Sequence, residues 1–248
     1  MDKALESRLA ALLAMTPSRV RLDAKAGVLP LKNLLAFQED HAAARDAIYT
    51  PLDSAALQGA LQAEFGLTVH CLSSRAKDRA EYLKRPDLGR AVAQGAQLEA
   101  CAAPLAIVVA DGLSPLAAMS HSLPLIGALR DCIPAMQKAP VYLVEQGRVA
   151  IGDAIGQAVD AQMVLVLIGE RPGLTVSDSL GAYLTWAPKI GTRDSARNCV
   201  SNIHANGGLS YNVAAARIRW LIEMAQKLQT TGVDLKDKSP MAPQLAEG

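Results

Sequence analysis

The sequence predicts an α/β protein, in which a Rossmann-like, largely parallel sheet with helices on both faces follows a mainly helical N-terminal region. Two apolar runs predict the sheet. Met163–Ile168 contains six consecutive apolar residues, which is typical of a strand buried on both faces. Leu105–Ala110 is a second such run, and a helix N-cap at Ser114 and a helix-starting proline at Pro115 follow it. A strand followed by a capped helix is the repeating unit of a doubly wound sheet.

Hydrophobic periodicity and turn residues predict the other elements. Helices are expected over residues 1–15, 34–48, 52–65, 88–98, 153–159 and 211–228. Strands are expected over residues 67–72, 141–144, 182–186 and 200–203, the last as an edge strand or an extended loop. The charged segment 77–90 is expected to be a structured loop, and residues 149–151 a strand-like run.

The closing helix is expected to be capped by Ser210 and to bury one apolar stripe. That stripe consists of Val213, Trp220, Leu221, Met224 and Leu228. We divide the chain into a mainly helical region (1–100), a Rossmann-like domain (104–237) and a flexible tail (238–248).

The composition excludes several functional classes. The 25 basic and 24 acidic residues are well mixed and give a net charge of +1, which offers no field for nucleic acid or anionic lipid. No apolar run approaches the ~20 residues that span a bilayer, and the charged N-terminus lacks the apolar core of a signal peptide. The four cysteines lie far apart without a CxxC pair, so we expect a reduced, cytoplasmic protein without a zinc site.

Several familiar ligand motifs are missing from the sequence. No GxGxxG follows a strand, and neither a GxxxxGK[ST] loop nor a GxSxG nucleophile elbow occurs. Charged residues do follow the Met163–Ile168 run, since Glu170 and Arg171 flank a turn formed with Pro172 and Gly173. The residues alone leave two interpretations of this turn: a surface ion pair, or a polar ligand site at the carboxyl end of a strand.

A series of short motifs resembles the small (light) subunit of ethanolamine ammonia-lyase. The motifs are YLKRPDLGR (82–90), ADGLS (110–114), QGRVAIGDAIG (146–156), GERPGL (169–174), DSLGAY (178–183) and RNCVSNIH (197–204). The resemblance covers residues 19 to 237, with the motifs in the family's order. Each motif alone is weakly diagnostic, whereas the whole series is highly specific.

The resemblance implies an adenosylcobalamin-dependent enzyme that converts ethanolamine to acetaldehyde and ammonia by a radical mechanism. It implies a hetero-oligomer with a large TIM-barrel subunit that binds ethanolamine, with cobalamin held between the two chains by the domain over residues 104–237. By matching motifs, the cobalamin contacts of this chain would be Val149, Glu170 and Cys199. We expect no catalytic side chain and no metal ligand here. The absence of a DxHxxG string implies that the cofactor's own dimethylbenzimidazole stays on cobalt.

Each of these three residues also has a purely structural interpretation. Val149 could be buried in a strand, Glu170 could pair with Arg171 or Arg197, and Cys199 could act as a small hydrophobe. His204, Asp178, Ser179 and Asn202 are weaker candidates that we leave out of the predicted site. The alternative functions are a non-catalytic α/β module for a nucleotide-like ligand and a purely structural assembly subunit. We expect a cytoplasmic enzyme, free or within a bacterial microcompartment, and an N-terminus shorter than the targeting extensions of some family members.

Overall fold

The computed structural model describes residues 7, 8, 11 and 31–239. Apart from those three residues, the helix predicted over residues 1–15 lies outside the described part, as do residues 240–248 of the predicted tail. Within the described residues, no helix combines the length and the apolar character needed to cross a membrane.

One six-stranded sheet organises the molecule, with the spatial order β1-β3-β2-β4-β5-β6. Its strands are β1 Val69–Ser73, β2 Ala106–Ala110, β3 Val141–Glu145, β4 Met163–Gly169, β5 Leu180–Trp186 and β6 Asn198–Ile203. The first four strands in space are parallel, whereas β5 runs antiparallel to β4 and β6 antiparallel to β5. The predicted α/β class with a largely parallel sheet is therefore confirmed. Because β1 precedes residue 100 and yet pairs with β3, the sheet extends into the region expected to be helical, and the division into domains stays a prediction.

Six α-helices surround the sheet within residues 31–239. They are α1 Leu31–Tyr49, α2 Ser54–Phe65, α3 Arg79–Lys84, α4 Pro115–Cys132, α5 Ile151–Ala158 and α6 Tyr211–Leu228. Helices α2, α4 and α6 share one core with one face of the sheet. On the opposite face, which we call the α5 face, α5 covers the centre of the sheet. Helices thus lie on both faces, as predicted.

Strand β4 forms the centre of this packing because all seven of its residues are buried. Met163, Leu165 and Leu167 point into the core of α4 and α6, whereas Val164 and Val166 point to the α5 face. This arrangement follows because successive side chains along a strand point to opposite faces of the sheet. The prediction of a strand buried on both faces is confirmed, and Ser114 caps α4 with Pro115 as its first residue.

The prediction of a helix over residues 88–98 is wrong. Only Leu88–Arg90 forms a short 3-10 turn, after which Val92 makes an antiparallel bridge with Ser74. The backbone N–H of Ala93 donates to the carbonyl of Ser73 at 2.9 Å, so this segment pairs with the end of β1 rather than with itself. Conversely, the segment expected to be a loop contains helix α3, which Asp78 caps by accepting from the N–H of Glu81.

Two further predictions need correction. Residues 149–151 are not strand-like: Ile151 begins α5, and its N–H donates to the carbonyl of Arg148 in the preceding turn. In α6 the buried stripe is shifted from the predicted one, because small and branched residues face the sheet while Leu228 is 49% exposed. The buried residues of α6 are Ala214, Ala215, Ile218, Leu221, Ile222 and Ala225.

Candidate functional site

A buried carboxylate fixes the loops that follow β2 and β3. Asp111 is 3% exposed and accepts hydrogen bonds from the N–H groups of Gln146 and Gly147 at 2.7 and 2.9 Å. Arg79 donates to it at 3.2 Å. Burial raises the pKa of Asp111 to about 6, and Arg79 and the two N–H groups oppose that rise. The turn that carries Val149 is therefore anchored directly to the end of β2.

The loops after β2 and β4 close on each other. The N–H of Leu113 donates to the carbonyl of Gly169 at 2.9 Å, and the Ser114 hydroxyl donates to the carbonyl of Ser177 at 3.1 Å. The sheet reverses its strand order between β2 and β4, where open α/β sheets usually bind ligands. Backbone atoms occupy this point, and one concave surface of the molecule lies on the α5 face instead.

That surface contains a pocket of about 330 Å³ between the entry to α5 and strands β5 and β6. Its lining residues are Arg90, Arg148, Val149, Ala150, Tyr183, Asp194, Arg197 and Cys199. Two of the three predicted site residues, Val149 and Cys199, thus line one pocket although they lie on separate elements. Cys199 stands opposite Tyr183 in the β5–β6 register, so the two side chains share the α5 face.

Glu170 lies beside this pocket rather than in its wall. Its carboxylate accepts hydrogen bonds from the Ser179 hydroxyl at 2.5 Å and from the N–H of Asn202 at 3.2 Å. These are its hydrogen-bond partners among the described residues, so the suggested pairing with Arg171 or Arg197 does not occur. Ser179 and Asn202, which we left out of the predicted site, are the residues that position Glu170.

Gly181 connects Glu170 to the pocket. A Cβ atom on this glycine would lie 3.0 Å from Oε1 of Glu170 and 3.2 Å from the ring of Tyr183. The carboxylate and the aromatic ring therefore flank the same glycine, and the polar surface continues from the pocket to Glu170. The structure brings all three predicted residues to one region, while their contact with a cofactor stays a prediction.

The Tyr183 hydroxyl and the Cys199 thiol favour their neutral forms. Burial raises the pKa of the Tyr183 hydroxyl, and its hydrogen bond to Cys199 and the charge of Glu170 raise it further. Burial also raises the pKa of the Cys199 thiol, an effect that the hydrogen bond from Tyr183 opposes. At neutral pH the pair consists of a phenol and a thiol, which suits hydrogen bonding and packing more than nucleophilic chemistry.

A buried ion pair forms the base of the site. Arg197 donates to both carboxylate oxygens of Asp153 at 2.5 and 2.7 Å, and the two side chains are 1% and 2% exposed. Arg197 also donates to the hydroxyl of Thr185 and the carbonyl of Thr192. This network fastens α5, which begins next to Val149, to strand β6, which carries Cys199. Sequence reasoning missed it because Asp153 and Arg197 are separated by 44 residues.

The remaining weak candidates lie in two small networks. His121 of α4 contacts both Asp178, at 3.2 Å, and the hydroxyl of Tyr211, at 2.9 Å. His204 contacts the side chain of Asn202 at 2.9 Å. In the part of the chain that the structure describes, no three His, Cys, Asp or Glu side chains come together as a metal site, and all four cysteines are free.

Sequence reasoning also missed Arg90, Arg148 and Tyr183. A signal for the arginines was present, because each follows a glycine in a quoted motif, LGR (88–90) and QGR (146–148). Tyr183 closes the DSLGAY motif. The fold and this surface together define a class: an α/β protein with a largely parallel sheet and a mixed polar and apolar binding site on its α5 face.

Comparison with known proteins gives the family. The family model described as "Ethanolamine ammonia-lyase light chain (EutC)" matches residues 6–236. The ethanolamine ammonia-lyase small subunit of Ralstonia nicotianae is 49% identical over 238 residues, which is 92% of this chain and 87% of that protein. The small subunit of Azotobacter vinelandii is 47% identical over the same shares, and that of Pseudomonas aeruginosa is 45% identical over 96% of this chain and 90% of its own length. The chain belongs to the ethanolamine ammonia-lyase light-chain family, and the predicted resemblance is confirmed.

Proposed function

We propose that this chain is the small subunit of an adenosylcobalamin-dependent ethanolamine ammonia-lyase, in which it holds one side of the cofactor against a large catalytic subunit. The observation that carries the proposal is the convergence of Val149, Glu170 and Cys199 on one surface. When bound, adenosylcobalamin supplies the radical that starts the conversion of ethanolamine to acetaldehyde and ammonia. The residues of this chain bind and orient that group.

The chemistry of the site fits a corrinoid. Corrin has a broad apolar face with amide arms at its rim, so it needs apolar surface, hydrogen-bond acceptors and hydrogen-bond donors. Val149 and Ala150 provide small apolar side chains, Glu170 provides an acceptor, and the guanidinium of Arg148 provides donors. Within the described residues, Nε of the pocket residue Arg148 is buried without a hydrogen-bond partner. A ligand that carries amides matches this set.

The size of the pocket supports a partner. Pockets that enclose a drug-sized ligand measure about 300–1,000 Å³ and bury most of its surface. At about 330 Å³, the pocket accommodates only part of a corrinoid, which is larger than such ligands. A second surface must cover the remainder. The relatives are named "small subunit", which agrees with a large-subunit partner, and we propose that ethanolamine binds mainly to that partner.

Substitution of Glu170 tests the proposal in the co-expressed complex. Loss of one charge-assisted hydrogen bond costs about 1.5–3 kcal/mol, or about 10- to 150-fold in affinity. Glu170→Ala should therefore raise the apparent KM for adenosylcobalamin by about that factor, with a much smaller fall in kcat at saturating cofactor. The KM for ethanolamine should hardly change. Ser179→Ala, which removes one hydrogen bond to Glu170, should raise the apparent KM for adenosylcobalamin by a smaller factor.

The matched control is Glu223→Ala, which removes an exposed carboxylate of α6 that pairs with Arg219. It should leave both KM values unchanged. A large change in the ethanolamine KM of Glu170→Ala with constant cofactor affinity would place this loop at the substrate and contradict the proposal. Visible absorbance of the purified complex gives an independent measure, because a bound corrinoid absorbs there and a nucleotide does not.

A further inference from the structure

Two glycine-arginine pairs bring two guanidinium groups to the pocket. Arg90 ends the 3-10 turn Leu88–Arg90, and Arg148 lies in the turn between β3 and α5. The two segments are joined by a hydrogen bond from the N–H of Arg148 to the carbonyl of Gly89 at 2.8 Å. Because both arginines line the same wall of the pocket and their backbones are bonded together, they act on one ligand region.

Close packing fixes the position of Arg148. A Cβ atom on Gly89 would lie 2.7 Å from the ring of Tyr82 and 3.0 Å from Cγ of Arg148, so this approach requires glycine. The guanidinium carbon of Arg148 lies 4.6 Å from the centre of the Tyr82 ring, and the Tyr82 hydroxyl donates to the carbonyl of Gly147 at 2.9 Å. Tyr82 itself is fully buried. The cation is therefore pre-positioned before any ligand arrives.

The charges of the pocket do not cancel. Its third arginine, Arg197, is neutralised by the buried carboxylate of Asp153. Asp194, the acidic residue of the lining, is 76% exposed and contacts Arg197 at 3.4 Å. Arg90 and Arg148 have no carboxylate partner among residues 31–239, and Nε of Arg148 is buried without a hydrogen bond. The pocket therefore has an excess of positive charge that an anion would balance.

We propose that Arg90 and Arg148 bind the phosphodiester of the cobalamin nucleotide loop, an inference that rests on the proposed function. The side arms of the corrin are neutral amides, and the phosphodiester is the anionic group at the periphery of the cofactor. Arginine suits it because the planar guanidinium matches phosphate oxygens with two parallel hydrogen bonds. Helix α5 begins directly after Ala150 in the same pocket, and its N-terminal dipole adds to the positive potential.

A series of three corrinoids tests this inference by binding rather than by activity. Adenosylcobalamin contains the phosphodiester, adenosylcobinamide lacks both the phosphate and the nucleotide, and adenosylcobinamide phosphate restores a phosphate. Equilibrium dialysis of each against the co-expressed complex, followed by visible absorbance, gives the dissociation constants. The variants are Arg148→Gln and Arg90→Gln. Arg85→Gln is the matched control, because Arg85 lies on the same segment, is 60% exposed and pairs with Asp87 outside the pocket.

Arg148→Gln should raise the dissociation constants of adenosylcobalamin and adenosylcobinamide phosphate by about 10-fold or more, since it removes a charge-assisted phosphate contact. Arg90 is exposed and screened by solvent, so Arg90→Gln should weaken the same two ligands by only about threefold. Adenosylcobinamide should bind every variant within about twofold of the unsubstituted complex. Arg85→Gln should change none of the three.

Equal weakening of all three ligands by Arg148→Gln would overturn the inference, because it would assign Arg148 to the packing of the loop. Unchanged affinities would overturn it as well. Loss of association with the large subunit, without selectivity among the ligands, would assign the arginines to an acidic group of the partner and would also count against it. If the unsubstituted complex binds none of the three corrinoids, the proposed function itself fails.

Discussion

The buried ion pair beneath the site gives the sharpest prediction for stability. Asp153→Ala leaves the guanidinium of Arg197, which is 1% exposed, without a counter-charge. Removing one partner of a buried pair typically costs 3–5 kcal/mol. Because Thr185 and Thr192 still accept hydrogen bonds from Arg197, we place the loss at the lower end, about 3 kcal/mol. For a chain of this length that loss lowers Tm by about 6–12 °C.

Urea unfolding of the full chain at pH 7 measures this loss as a shift of the midpoint at constant slope. The control is Glu223→Ala, which breaks the exposed pair with Arg219 and should cost less than about 0.5 kcal/mol. The double variant Asp153→Leu/Arg197→Met replaces both charges by apolar groups and should recover most of the stability. If Asp153→Ala costs no more than Glu223→Ala, the pair does not fasten α5 to β6 and the reasoning is refuted.

Two further predictions concern single groups of the site. Cys199→Ser should weaken cofactor binding by on the order of 1 kcal/mol and leave turnover intact at saturating cofactor, whereas a dead variant would indicate a catalytic thiol. Since burial raises the pKa of Asp111 to about 6, the folded chain binds one proton more than the unfolded chain between about pH 4 and pH 6. The contribution of Asp111 to stability should therefore fall as the pH rises through that window. Asp111→Asn should remove that slope from the urea midpoints, and an unchanged slope would argue against the shift.

The central strands could be predicted because their physical cause is local. A strand buried on both faces requires consecutive apolar residues, and Met163–Ile168 and Leu105–Ala110 supply them. The start of α4 was equally local, since the Ser114 hydroxyl caps the helix that begins at Pro115. In each case the residues that determine the element are the residues that form it.

The segment after residue 88 could not be predicted for the opposite reason. The N–H of Ala93 in this segment donates to the carbonyl of Ser73 in β1, about 20 residues away. Whether the segment forms such hydrogen bonds or those of a helix depends on that distant strand. Helix α3 has only six residues, too few for a periodic pattern to identify. The first error arises where tertiary contacts outweigh local preference, and the second where a helix is too short to be recognised.

The residues of the site could be predicted from local motifs, but their arrangement in space could not. Motifs identified Val149, Glu170 and Cys199, but no spacing in the sequence reveals that Val149 and Cys199 share a pocket. That arrangement depends on Arg197 reaching Asp153 across the sheet and on Asp111 holding the turn before α5.

The site contains both charges that are paired within the chain and cations that lack a carboxylate partner. Within the described residues, the carboxylate of Glu170 is held by Ser179 and Asn202, and the charge of Arg197 is balanced by Asp153. Tyr183 and Cys199 are neutral at pH 7 because their pKa values are raised. Neither this phenol nor this thiol is ionised at that pH, so the pair is suited to holding a ligand rather than to attacking it. Of the arginines that line the pocket, Arg90 and Arg148 have no carboxylate partner within residues 31–239. Added salt should therefore weaken whatever binding depends on them and leave the contacts of Val149 and Cys199 unaffected.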